Sequence, residues 1–157
     1  PKNDHASAST ELYLYQTWAR PNLVAGAFRT STDPLTGAVT RTATPANTFY
    51  GSLEAMDADL DSAFQKAVNF ADDDGTGGFA GIAPVGNAFL RAVQTGVATR
   101  DMWAPDASSD GLLDLWFDDG THASKYGSYL SALTLFGTLT GLDPALLGAN
   151  EIAARDL

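Results

Sequence analysis

The sequence predicts an α/β protein in which helices pack on a sheet of parallel strands through right-handed crossovers. Two short apolar runs bounded by turn residues are typical of buried strands, and three longer segments carry apolar residues at helical spacing. Strands and helices alternate along the 157 residues, of which 45% are hydrophobic and 18% charged. This length and composition predict a single globular domain.

Both predicted strands are short. ELYLYQTW at residues 11–18 alternates leucines and tyrosines, which predicts a strand covered on both faces, and Pro21 ends the pattern. FAGIAPV at residues 79–85 predicts the second buried strand. Two strands are too few for a sheet with helices on both faces, so either the chain contains further strands that its pattern does not indicate, or it is one part of a larger domain.

The predicted helices cover residues 50–70, residues 88–95 and residues 122–139. Asn87 is the expected N-cap of the second helix, and Gly141 the expected end of the third. Between the first strand and the first helix, residues 19–48 form a long connection with a turn at DPLTG and a small hairpin around it. Such connections are often lids or binding loops, although a passive excursion is the alternative.

The net charge of −10 comes mostly from aspartate, with acidic clusters at residues 54–74 and 101–119. This field repels phosphate groups, so we expect neither nucleic acid nor an anionic membrane surface as a partner. No apolar run approaches the roughly 20 residues of a membrane span. The absence of cysteine excludes disulfides and thiolate chemistry but leaves the compartment open, including a secreted or periplasmic bacterial location.

Asp119 and His122, in the stretch DGTH, are the candidate catalytic residues. One interpretation is structural: Asp119 or Thr121 caps the helix that follows. That interpretation leaves the histidine without a role. In the chemical interpretation, Asp119 accepts a hydrogen bond from one ring nitrogen of His122, and the other nitrogen takes a proton from a nucleophile. A helix N-terminus disfavours imidazolium, which suits a histidine acting as a base.

Three segments resemble SGNH (GDSL-type) serine hydrolases. DGTH with the following ASKYGSYLSALTLFGTLTG resembles the last conserved block of that superfamily. LYLYQTWARP resembles a central strand with its loop, and IAPVGNAFLRAV resembles the strand, turn and helix before the last block. The likeness covers most of residues 11–141. It implies a three-layer α/β/α, flavodoxin-like fold and esterase or lipase activity on an ester substrate, without an organic cofactor. It also implies that His122 is the general base and acid, oriented by Asp119.

The serine-bearing G-D-S block and the glycine and asparagine blocks of these enzymes are not visible in the sequence. Asn3 is not a match for the asparagine, because no glycine stands two residues before it. We therefore expect residues 1–157, which begin with Pro1, to be the C-terminal part of one such domain. An upstream segment or separate chain would supply the serine, and the chain alone would be nearly inert.

Other residues have weaker claims to a functional role. Trp18 and Arg20 lie at the C-terminal end of the first strand, where open α/β sheets bind ligands, so Trp18 is a candidate substrate contact, with core packing as the alternative. Ser124 is expected to cap or pack rather than act as nucleophile. Asp118 is expected to be solvated or a loop acceptor, and His5 to be exposed.

Two further hypotheses are compatible with the sequence. The first is a noncatalytic binding or structural module that keeps the fold without the nucleophile. The second is an acidic calcium-binding module, suggested by DDDGTGG at residues 72–78, although this stretch does not fit the EF-hand pattern. A zinc site is not expected, since the chain has two distant histidines and no cysteine.

Overall fold

The computed structural model of the chain describes residues 10–43, 48–73 and 78–148. Its helices and small sheets place it in the α/β class, as predicted. Among these described residues the strands are β1 (Tyr13–Tyr15), β2 (Phe28–Thr32), β3 (Val39–Ala43) and β4 (Gly81–Ala83). The α-helices in the same ranges are α1 (Pro21–Val24), α2 (Leu53–Asp73), α3 (Val85–Gln94) and α4 (Lys125–Thr140), with 3₁₀ turns at Ala107–Ser109 and Pro144–Leu147.

Strands β1 and β4 form a parallel pair, in which Leu14 is opposite Ile82. Both strands were predicted, although each is shorter than its apolar run. The expected burial of β1 on both faces is wrong: Tyr13 and Leu14 are only half-buried, and Tyr15 is exposed. Within the described residues β1 has β4 as its one neighbouring strand, so no described strand pairs with its other edge.

The long connection contains the predicted hairpin and a helix that was not predicted. β2 and β3 pair antiparallel, with Phe28 opposite Ala43. The Asp33 carboxylate begins the turn, since its Oδ1 accepts the backbone N–H groups of Leu35 (2.8 Å) and Thr36 (3.2 Å). The single-turn helix α1 begins at Pro21, whose fixed φ suits a first helical position.

Helices α2 and α3 agree with the prediction except at their ends. α2 begins at Leu53 and buries Leu53 and Met56. α3 begins at Val85 with Pro84 as its N-cap residue, so the prediction that Asn87 caps it is wrong. Proline fixes the backbone at the turn, and the Asn87 amide is used instead in a polar cluster with Gln16 and Asp61.

Helix α4 begins three residues later than predicted, at Lys125. Its N-cap is Ser124, whose Oγ accepts the N–H groups of Tyr126 (3.1 Å) and Gly127 (3.2 Å). The predictions that His122 opens the helix, and that Asp119 or Thr121 caps it, are therefore wrong. At the other end, Gly141 is in the left-handed region with φ of 68° and ends the helix as expected.

The core lies where α2, α3 and the start of α4 meet. Phe89 at its centre stacks on Trp18, with ring centroids 4.8 Å apart, and contacts Trp116 at 5.7 Å. Gly127 lets α4 approach closely, because a Cβ there would lie 2.8 Å from the Phe89 ring. The same packing therefore fixes the beginning of α4 and the DGTH segment just before it. Within the described ranges, no helix has the length and apolar character needed to cross a bilayer.

Candidate functional site

The DGTH residues form a tight turn that precedes α4. Trp116 and Ala123 are paired as an antiparallel bridge across its base. Inside the turn, Phe117 donates its N–H to the His122 carbonyl (2.9 Å), and Gly120 donates to the Phe117 carbonyl (2.8 Å). The imidazole is therefore presented by a closed turn rather than by a helix, so the helix-terminus argument for its charge state does not apply.

One carboxylate orders both the backbone and the ring of this turn. Oδ1 of Asp119 accepts the N–H groups of Thr121 (2.8 Å) and His122 (3.0 Å). Oδ2 lies 2.6 Å from Nδ1 of His122. Because a carboxylate accepts, the ring nitrogen in this contact donates, which leaves Nε2 available to accept a proton. The structure thus brings Asp119 and His122 together, while their catalytic role stays a prediction.

The hydrogen bonds of Asp119 decide its charge. Partial burial raises the pKa of this carboxyl, but the bonds from the His122 ring and from the backbone of His122 and Thr121 outweigh it. The pKa of Asp119 therefore lies below its ordinary value, and the group is ionised at neutral pH. The imidazole beside it is open, with 76% of the side chain exposed. Asp119 is thus a fixed anion, and it holds the accessible imidazole of His122, which can act as an acid or a base.

Two tryptophans hold the turn from outside. Trp18 donates its indole N–H to the Thr121 carbonyl (2.9 Å), and Trp103 donates its own to the Asp118 carbonyl (2.8 Å). Trp18 also stacks on Phe89, so the core-packing alternative describes its ring, and its contact with a substrate stays a prediction. Asp118 acts through its backbone as a loop acceptor.

Trp103 was not predicted as a site residue. Its partner is a backbone carbonyl 15 residues away, and a backbone carbonyl leaves no signature in a sequence. The residue also lies outside every periodic segment. The only available signal was an isolated large aromatic in a loop rich in aspartate, alanine and glycine.

A groove of about 310 Å³ lies beside the turn. Asp118 and Asp119 form part of its lining, and residues 27–30, which include the start of β2, form the rest. The predicted hairpin is therefore adjacent to the candidate site. Its contact with a substrate stays a prediction.

Ser124 does not face the imidazole. Its hydroxyl donates to the Asp114 carbonyl (2.5 Å) and accepts from the first turn of α4, which is the capping role expected for it. Among the described residues, no serine hydroxyl is hydrogen-bonded to His122. His5 and Asn3 lie outside the described residues.

The acidic stretch at residues 72–78 falls mostly outside the described residues, since residues 74–77 are not among them. In the described ranges, no three side chains of histidine, cysteine, aspartate and glutamate come together to hold a metal ion. The calcium hypothesis therefore receives no support from the part of the chain that the structure describes.

A partly buried polar cluster joins the residue after β1 to α2 and α3. Gln16 is fully buried, and its Nε2 donates to Asp61 (2.6 Å) and Asn87 (3.1 Å). Asp57 is buried nearby, and desolvation, then repulsion from Asp61 and Glu54, raises its pKa to about 6. Sequence reasoning missed this cluster, because its members are far apart in the sequence and each belongs to an ordinary helix or strand end.

The Asp119–His122 pair is suited to general acid–base chemistry, in which an oriented imidazole removes and returns a proton. It needs a hydroxyl partner to become a nucleophilic site. No protein-family model matches this chain, and no curated protein or solved structure matches it significantly.

Proposed function

We propose that the chain supplies the histidine and aspartate of a Ser-His-Asp triad in an SGNH-type esterase that hydrolyses carboxylic esters. In this proposal the complete domain has the three-layer α/β/α, flavodoxin-like fold, and residues 1–157 are its C-terminal part. The contact that carries the proposal is the 2.6 Å distance between Oδ2 of Asp119 and Nδ1 of the exposed His122 ring. A structural cap alone would not need an imidazole at this position.

In the proposed reaction, Nε2 of His122 removes the proton of a serine hydroxyl as that oxygen attacks the ester carbonyl. Asp119 holds the tautomer in which Nδ1 carries hydrogen, and its negative charge stabilises the imidazolium that forms. The imidazolium then protonates the departing alcohol. Water, deprotonated by the same nitrogen, hydrolyses the acyl-enzyme and releases the acid and the free serine. No step uses an organic cofactor.

Uncovered apolar surface supports the proposal that a further segment completes the domain. On α4 the buried residues are Gly127 and Ser131, whereas its large apolar side chains keep part of their surface in solvent. A groove of about 380 Å³ beside α4 is lined by apolar and aromatic side chains: Ala92, Val97, Leu113, Leu115, Tyr126, Tyr129, Leu130 and Leu133. Apolar surface of this kind favours burial against another element. A segment that covers it and pairs with the open edge of β1 would also bring the serine.

The second candidate is a noncatalytic module with the same fold. The observation that favours it is that, in the described ranges, no serine hydroxyl reaches His122. A fluorophosphonate probe separates the two candidates when the coding region upstream of residue 1 is included. Covalent labelling of a serine supports the esterase, and complete absence of labelling supports the noncatalytic module.

Hydrolysis of p-nitrophenyl acetate by the same extended protein tests the catalytic roles. We expect His122→Ala to lower kcat/KM by about 10³–10⁴-fold, because the general base of a triad is lost. His5→Ala, which changes the other histidine of the chain, is the matched control and should retain activity. Equal activity of the two variants would refute the assignment. The 157-residue chain alone should show little turnover.

A further inference from the structure

We propose that Trp103 is a positioning residue for the Asp119–His122 pair, which acts by holding the backbone of the turn that presents both side chains. The catalytic consequence rests on the proposed function. The positioning itself does not, because it concerns an arrangement within this chain.

The backbone of the turn is held at almost every carbonyl. Carbonyl groups of five residues in this stretch accept a hydrogen bond: Phe117 from Gly120, Asp118 from Trp103, Gly120 from Asn22, Thr121 from Trp18, and His122 from Phe117. The bond from Asn22 is long, at 3.4 Å, whereas the two indole bonds measure 2.8 and 2.9 Å. The tryptophans therefore supply the shorter external restraints, one at each end of the turn.

Trp103 restrains the turn through its ring as well as through its N–H. The Gly120 backbone lies so close to the indole that a Cβ at residue 120 would come within 2.6 Å of Cζ2 and 2.7 Å of Cη2. The residue bonded by the indole, Asp118, and the residue under the ring, Gly120, flank Asp119. A displacement of the ring would therefore move the carboxylate that orients His122.

The hairpin β2–β3 and the loop before Trp103 fix the position of the indole itself. Oδ1 of Asp101 accepts the backbone N–H of Trp103 (3.2 Å) and an N–H of the Arg41 guanidinium (3.1 Å). Arg41 lies over the Phe28 ring, 3.9 Å from its centroid, and Phe28 contacts Trp103 with ring centroids 5.6 Å apart. The indole is thus enclosed between the hairpin and the turn, with 4% of the residue exposed.

Trp116 is a matched comparison for Trp103. It is also buried, at 3% exposure, and also packs beside the turn. Its indole Nε1, however, has no hydrogen-bond partner among the described residues. Replacement of either tryptophan by phenylalanine removes a similar volume, but only the change at residue 103 removes a bond to the turn.

The test measures the carboxyl pKa of Asp119 by ¹³C NMR in the 157-residue chain and in its variants. We expect Trp103→Phe to raise this pKa toward its ordinary value, because the bonds from His122 and Thr121 that lower it lose their geometry. Trp116→Phe should leave it unchanged, although both variants should lose stability to urea by similar amounts. An unchanged pKa in Trp103→Phe, or an equal shift in both variants, would overturn the proposal.

Trp18→Phe is the second variant, and it decides the question if Trp103→Phe does not fold. It removes the indole bond at Thr121 and is expected to shift the same pKa upward; no shift would refute restraint by the indoles. In the extended protein, Trp103→Phe should lower kcat for p-nitrophenyl acetate by about tenfold with KM within about twofold. A complete lack of esterase activity would defeat the proposed function, while the NMR result would still decide the positioning role.

Discussion

The indole of Trp103 lies so close to Gly120 that a Cβ at residue 120 would come within 2.6 Å of its Cζ2 atom, which leaves no room for a side chain there. Gly120 also has φ of +64°, a conformation that disfavours any residue with a Cβ. Glycine is therefore required twice at this position, once by the backbone and once by the neighbouring ring. The turn that carries Asp119 and His122 depends on both conditions.

Gly120→Ala should consequently be more destabilising than an ordinary glycine replacement in a turn. We expect a loss of about 2–4 kcal/mol in the free energy of unfolding, from backbone strain of roughly 1 kcal/mol together with the clash against Trp103. Gly111→Ala is the control, because Gly111 has φ of +78° and a Cβ there would meet no other atom within 4 Å. Gly111→Ala should lose only the part of the unfolding free energy that comes from backbone strain. Urea denaturation measures both, and equal losses would contradict the role of the ring.

Asp119 and the adjacent Asp118 differ in what their side chains contact. Asp119→Asn keeps an oxygen that accepts the backbone N–H groups of Thr121 and His122, but it removes the negative charge beside the imidazole. We expect kcat/KM of the extended protein to fall by about 10²–10⁴-fold with little loss of stability. Asp118→Asn leaves the backbone carbonyl bonded to Trp103 and should stay within about twofold of the parent. If the two variants lose activity equally, the charge of Asp119 is not the cause.

The sequence predicted the elements that depend on local pattern. Helix α2 and hairpin β2–β3 were found because apolar spacing and the Asp-Pro turn are local signals. Helix α4 was found for the same reason, but its beginning was misplaced. DGTH followed by an apolar segment fits two arrangements, a cap and a closed turn. The choice between them depends on Trp18 and Trp103, which are distant in sequence.

For the candidate pair, too, contacts between residues close in sequence could be predicted, whereas contacts with distant residues could not. Asp119 and His122 are close in sequence, so their contact follows from a short turn that residue types can indicate. The external restraints on that turn come from Trp18 after β1, from Asn22 in α1 and from Trp103 in the loop before the motif, and they end on backbone carbonyls. Likewise, the burial of Asp57 follows from how α2 packs. The acidic composition of its segment is typical of solvated side chains and so did not indicate this burial.

Ser124 provides a test of where α4 begins. Ser124→Ala removes the acceptor for the N–H groups of Tyr126 and Gly127, and it also removes the donor to the Asp114 carbonyl. We expect a loss of about 1–2 kcal/mol in unfolding free energy, which is typical of a lost N-cap. Ser128→Ala, at an exposed position one turn later, should be neutral or slightly stabilising. A neutral Ser124→Ala would show that the helix does not need this cap.

Asp57 should make stability depend on pH. Its pKa is about 6 in the folded chain against an ordinary value of 3.8, so folding favours the neutral carboxylic acid. Below about pH 4 the carboxyl of Asp57 is neutral, and its burial carries no cost for a buried charge. The free energy of unfolding falls as pH rises from about 4 to about 6, and above about pH 6 the cost of burying the charged form is constant. The two pKa values correspond to a cost on the order of 3 kcal/mol, at about 1.4 kcal/mol for each pKa unit.

Asp57→Asn should therefore be more stable than the parent chain at pH 7, by up to about 3 kcal/mol, and nearly equal to it at pH 4. The asparagine side chain keeps the shape of the neutral acid and has no charge to bury or to be repelled by Asp61 and Glu54. Urea denaturation across pH 4–8 measures the difference between the two proteins, which cancels the contributions of other acids. Asp106→Asn, at an exposed position, is the control, and at pH 7 its stability should differ from that of the parent by much less than that of Asp57→Asn. A difference for Asp57→Asn that does not grow between pH 4 and 6 would contradict a buried acid with a raised pKa.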